Sequence, residues 1–101
     1  MQIIFERSGG LMGLKSSLTI NLNDLPPDQA ETIRRLLDEA NFFTLPENPP
    51  TRPSPDSFQY TIVVETKMVK HTVHTSDTTA PKELQPLIQE LSQRARLRRR
   101  S

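Results

Sequence analysis

All three glycines of this 101-residue chain fall between positions 9 and 13. Glycine is the usual residue where a tight turn demands φ > 0, and this chain places all of it at one reversal. The flanking segments, Met1-Gln2-Ile3-Ile4-Phe5 and residues 14–22, both have strand character. The glycine-rich piece is therefore read as the tip of a β-hairpin. A hairpin tip is normally polar, yet this one carries Leu11 and Met12, which have no evident core to reach. That mismatch marks Ser8, Gly9, Gly10, Leu11, Met12 and Gly13 as the candidate protein-binding segment. A tip folded back onto the sheet edge would account for the two apolar side chains equally well.

The flanks define a sheet. Ile3 and Phe5 alternate with Gln2, Ile4 and Glu6, giving a strand with a partly apolar second face. Leu14, Leu18, Ile20 and Leu22 point one way in the next strand, and Lys15, Ser17, Thr19 and Asn21 the other. This is the period-2 pattern of a half-buried antiparallel strand. Asn23 or Asp24 is then placed to cap a helix whose first turn holds Pro26 and Pro27. Ala30, Ile33, Leu37 and Ala40 form its apolar stripe, with Leu36 beside it, and the helix is expected to run to about Ala40. Phe42 and Phe43 are expected to anchor its exit. Residues 46–56 hold five prolines and are read as an extended connector, because proline cannot pair in a central strand.

A third strand puts Phe58, Tyr60, Ile62 and Val64 on one face. A two-residue turn at Thr66-Lys67 would set Val64 opposite Val69, Ile62 opposite His71 and Tyr60 opposite Val73, so that apolar faces coincide. Residues 75–81 are cap-rich and lead to a second helix with the stripe Leu84, Leu87, Ile88 and Leu91. Pro86 either kinks this helix or starts its main part after a short turn from Pro81. Leu91 is the last evident core position. The expected fold is α+β: a four-stranded antiparallel sheet with two helices on one face, in the order strand-strand-helix-strand-strand-helix. One domain over residues 1–93 is expected, followed by a basic, disordered tail over 94–101.

Chemistry is sparse. There is no cysteine, and the net charge is only +1, with Arg94, Arg96, Arg98, Arg99 and Arg100 crowded into the last eight residues. No apolar run reaches the roughly 18 residues of a membrane span, and the N-terminus lacks the basic and apolar regions of a signal peptide. A cytoplasmic protein with no membrane partner is expected. His71 and His74, three apart in a strand, point to opposite faces and cannot share a metal; His71 reads as a cross-strand neighbour of Ile62 and His74 as a surface residue. Ser8 has no base near it in sequence, Ser76-Asp77 reads as capping, and no helix N-terminus follows the glycines to make a phosphate loop. No enzyme activity, cofactor or metal is expected. The arginine run lacks the aromatic platform of a nucleic-acid binder, and a solvated tail is its default reading.

Taken together, Ile3-Ile4-Phe5-Glu6-Arg7-Ser8-Gly9-Gly10 followed by Gly13 resembles the opening of the emfourin family. Further similarity lies in Asp56-Ser57-Phe58-Gln59-Tyr60, His71-Thr72-Val73-His74, Ser76-Asp77, and Pro81 followed by Leu84, Pro86 and Leu87. The resemblance covers roughly residues 2–91; where the family often has an aromatic residue, this chain has Leu11. These are small bacterial proteins named for an inhibitor of protealysin, a thermolysin-like zinc metalloprotease. The resemblance implies a proteinaceous inhibitor that blocks the active-site cleft of such a protease, and a monomer is expected. Enzymes of that class favour a bulky apolar side chain just after the scissile bond, and Leu11 or Met12 is of that kind. A non-inhibitory partner of a protease precursor is the alternative, and a weak nucleic-acid binder acting through its tail is a third.

Overall fold

In the computed structural model, which describes residues 1–9, 14–45, 58–76 and 80–98, the alternating segments become strands β1 (Gln2–Gly9), β2 (Leu14–Asn21), β3 (Phe58–Glu65) and β4 (Lys70–Ser76). They form one antiparallel sheet in the order β2-β1-β3-β4. Two hairpins are thus joined side by side through β1 and β3, the central strands. Helices α1 (Pro27–Glu39) and α2 (Gln85–Arg98) complete the α+β fold.

The register places the buried side chains in cross-strand rows on one face. Ile20, Ile3 and Val64 form one row, ending at His71. The next runs Leu18–Phe5–Ile62–Val73, and all four are buried. Phe5 stacks against Tyr60 with ring centroids 5.9 Å apart. The helices supply the other half of the core, Ala30, Ile33 and Leu37 from α1 and Leu87, Ile88 and Leu91 from α2. The opposite face of the sheet carries Ile4 and Val63 in its middle, surrounded by Thr19, Thr61, Thr72 and Glu6.

The β3–β4 turn departs from the expected register by two residues. Val64 lies opposite His71, Ile62 opposite Val73 and Tyr60 opposite Thr75. The cause is Thr66. Its backbone N–H donates to Val69 O at 2.7 Å, and its Oγ1 accepts from the N–H groups of Met68 (3.2 Å) and Val69 (3.0 Å). The connection is therefore four residues long, and Val69 lies outside the ladder, 49% exposed. A slip of two preserves which face each side chain takes, so the core is as expected although the partners are not. Thr66→Ala removes both side-chain acceptor bonds and is expected to lower stability by about 1 kcal/mol, measurable by chemical denaturation.

Three local features also differ from the sequence reading. Neither Asn23 nor Asp24 caps α1: residues Leu22–Asp24 form a 3₁₀ turn capped by Asn21, with Asn23 N–H donating to Asn21 Oδ1 at 3.0 Å. The turn buries Leu22, so α1 begins only at Pro27, where a missing N–H costs nothing. Asn41, at φ 50°, ends α1 in the left-handed conformation that asparagine tolerates. Of the two phenylalanines that follow, only Phe42 is an anchor; Phe43 is 43% exposed. Phe42 sits edge-on to the His71 ring at 5.5 Å, and His71 Nε2 donates to Leu45 O at 2.8 Å, pinning the exit of this segment to β4.

Pro86 starts the main part of α2, after a 3₁₀ turn over Lys82–Leu84. The helix does not stop near 93. It continues to Arg98, buries Ala95, and pairs Arg94 Nε with Glu90 Oε1 at 3.0 Å. The alternating arginines of the sequence hide the small residue Ala95, which helical spacing from Leu91 returns to the core. A chain ending at Arg98 is expected to melt with the full-length protein. One ending at Gln93 should lose on the order of 1 kcal/mol or more, from the buried methyl and the last helical turn.

Candidate functional site

The predicted binding segment begins at the end of a central strand. Ser8 lies between Lys15 of β2 and Gln59 of β3, and Gly9 between Leu14 and Phe58. Gly9 has φ 103°. A side chain opposes that value, so glycine is the residue that lets the chain leave the ladder here. Gly10, Leu11, Met12 and Gly13 lie outside the described residues, as does the proline segment 46–56. Ser8 and Gly9 are thus held from both sides by neighbouring strands.

Sequence reasoning missed the other half of this end of the sheet. Arg7 occupies the same parity as Ile3 and Phe5 and so faces the helices, in the row Ser16–Arg7–Tyr60–Thr75. Its guanidinium carbon lies 3.9 Å from the centre of the Phe58 ring. Gly9, two residues on, offers no side chain to compete for that space. The visible signal was a charge at a core-parity position of a strand. Between this row and α2 lies a cleft of about 350 Å³, lined by Arg7, Tyr60, Ile88, Gln89, Ser92 and Gln93. Arg7 Nε and Thr75 Oγ1 are the two buried side-chain polar atoms without a hydrogen-bond partner among the described residues, and they flank Tyr60 in one row. A broader groove of about 980 Å³ runs past α1 among Asp28, Glu31, Arg34, Arg35 and Asp38; it is remote from the hairpin end and lined by charges of both signs.

The described residues hold little for covalent or metal chemistry. Thr61 Oγ1 and His74 Nδ1 share a hydrogen bond of 3.0 Å on the open face. Glu6 is the cross-strand neighbour of Thr61 and not of His74, so no carboxylate stands in register behind the imidazole to orient it as a base. His71 faces the core and His74 the open side. Among the described residues no group of three or more His, Cys, Asp or Glu could hold a metal ion. No helix among them is long and apolar enough to cross a membrane.

The family model described as Emfourin matches residues 5–92, from the middle of β1 to the middle of α2. This chain belongs to the Emfourin family. Among solved structures it is similar to emfourin from Serratia proteamaculans, described as an M4 family peptidase inhibitor, with 22% sequence identity, 85% of this chain and 83% of that chain covered, and a TM-score of 0.47. Among curated protein sequences no match is found. The Emfourin match takes in Arg7, Ser8, Gly9, Phe58, Tyr60 and, from α2, Ile88, Gln89 and Ser92.

Proposed function

We propose that this protein is a proteinaceous inhibitor that occupies the active-site cleft of a thermolysin-like zinc metalloprotease. Membership of the Emfourin family over residues 5–92 carries the reading, since the family bears the name of an M4 family peptidase inhibitor. The geometry is compatible with it. An inhibitor gains affinity from a protrusion whose conformation is set before binding, and the strand that leads into residues 10–13, β1, ends between β2 and β3, with Gly9 paired to Leu14 on one side and Phe58 on the other. Leu11 and Met12 are the groups that would enter an apolar specificity pocket, and strand-like backbone around the glycines would add to the cleft edge. The protein acts by binding and is not an enzyme.

One observation favours a second reading, a non-inhibitory contact from the far end of the sheet. The exposed large hydrophobics among the described residues are Phe43, Met68 and Val69, and all belong to the β3–β4 turn or the segment pinned beside it. Met68 is 93% exposed. Titration of the purified protein against a panel of thermolysin-like proteases separates the two. The inhibitor reading expects activity to fall to zero near one equivalent, and excess zinc should not restore it. A panel that keeps full activity, with binding intact, would favour the second reading.

A further inference from the structure

We infer that the cleft between the Arg7 row and α2 is a carboxylate-binding site that takes an acidic side chain of the partner protein. The inference rests on the inhibitor reading for the source of the carboxylate, but its chemistry stands on the cleft alone. Arg7 brings a permanent positive charge into a partly buried position, and its Nε is buried with no acceptor among the described residues. A buried charged donor left unmatched is a standing cost. The guanidinium carbon lies over the Phe58 ring, 3.9 Å from its centre, which tethers a fork of the shape that matches a carboxylate. The remaining lining among the described residues is neutral, and Gln89, Ser92 and Gln93 carry hydrogen-bond donors. Among the described residues no acidic side chain lines the cleft. Thr75, in the same cross-strand row, has a buried hydroxyl that is also unmatched.

The position is what gives the site a use. Arg7 is two residues before Gly9 on the central strand, so the cleft lies at the end of the sheet where the proposed binding segment begins, the end that would meet the rim of a bound protein. An acid on that rim would pair with a half-buried, pre-oriented arginine, a contact worth more than an exposed ion pair. A phosphate would satisfy the charge, but the flat fork and the amide lining favour the planar anion, and a protein partner supplies carboxylates.

Two arms test this on the full-length chain. In the first, sodium acetate is titrated against sodium chloride at matched ionic strength, and amide resonances are followed by NMR. Saturable shifts confined to Arg7, Tyr60, Thr75, Gln89, Ser92 and Gln93 are expected, larger than with inorganic phosphate, and absent in Arg7→Gln. In the second arm, inhibition of a thermolysin-like protease is measured for Arg7→Gln and Arg7→Lys. Arg7→Gln should raise the inhibition constant about tenfold, with the melting temperature little changed. Arg7→Lys, a charge without the fork, should fall between. Inhibition by the parent protein should weaken with salt more steeply than inhibition by Arg7→Gln, a difference that a merely structural arginine would not produce. Acetate binding without any inhibition would uphold the site and refute the inhibitor reading. Acetate shifts that match chloride or survive in Arg7→Gln would overturn the site. So would Asp56→Asn or Asp77→Asn reproducing the Arg7→Gln spectrum, since the chain's own carboxylate would then be the occupant.

Discussion

Replacing Leu11 and Met12 together by aspartate is expected to weaken inhibition at least roughly a hundredfold and to leave the melting temperature almost unchanged. Burying a Leu-sized side chain is worth about 1.5–3 kcal/mol, and each 1.4 kcal/mol is about tenfold in affinity. Two such groups exceed the hundredfold mark before the cost of placing charge in an apolar pocket is counted. The core explains why stability should hold. Its described members come from the inward face of the sheet and from the two helices, and Phe5, Ile62, Leu87 and Leu91 are fully enclosed. A double mutant that unfolds would show that the tip belongs to the core. One that folds and inhibits as before would move the contact to the β3–β4 end, where Met68 stands in water.

Ile62→Ala is the converse experiment: it should cost about 2–5 kcal/mol of stability. Ile62 is 0% exposed and sits between Phe5 on β1 and Val73 on β4, in the one row that is apolar across all four strands. Truncation leaves a cavity under both hairpins that neither can close without breaking the ladder they share. For a domain of this size the melting temperature should fall by roughly 10 °C or more. Measured well below that temperature, inhibition should be close to that of the parent. A loss of inhibition in protein shown to be folded would mean that the sheet transmits core damage to the binding end, against the separation of scaffold and tip assumed here.

Side-chain parity was the legible part of this fold, because it depends only on alternation along each strand. Ile3 and Phe5, Leu18 and Ile20, and Tyr60, Ile62 and Val64 all face the core as their spacing requires. Register was not legible between Val64 and Val73. It turned on a hydroxyl, Thr66 Oγ1, holding two amides of the turn, and a shift of two leaves the hydrophobic pattern unaltered. The start of α1 was hidden for a similar reason: Asn21 caps a short turn over Leu22–Asp24 before the helix can begin. The adjacency of β1 and β3 has a faint sequence trace in Ile4 and Val63, paired on the open face, where an edge strand would have carried polar groups. Gly9 was read for its turn, and its φ of 103° bears that reading out. Arg7, beside it, was passed over because only the register reveals that its neighbours are Tyr60 and Phe58.

The most direct measurement is amide hydrogen exchange of this protein in complex with an inhibited thermolysin-like protease. The account predicts protection on binding at residues 7–16, centred on Gly9 to Leu14, with the β3–β4 turn at residues 66–69 exchanging as in the free protein. Protection confined to that turn, or no complex with any such protease, would contradict it.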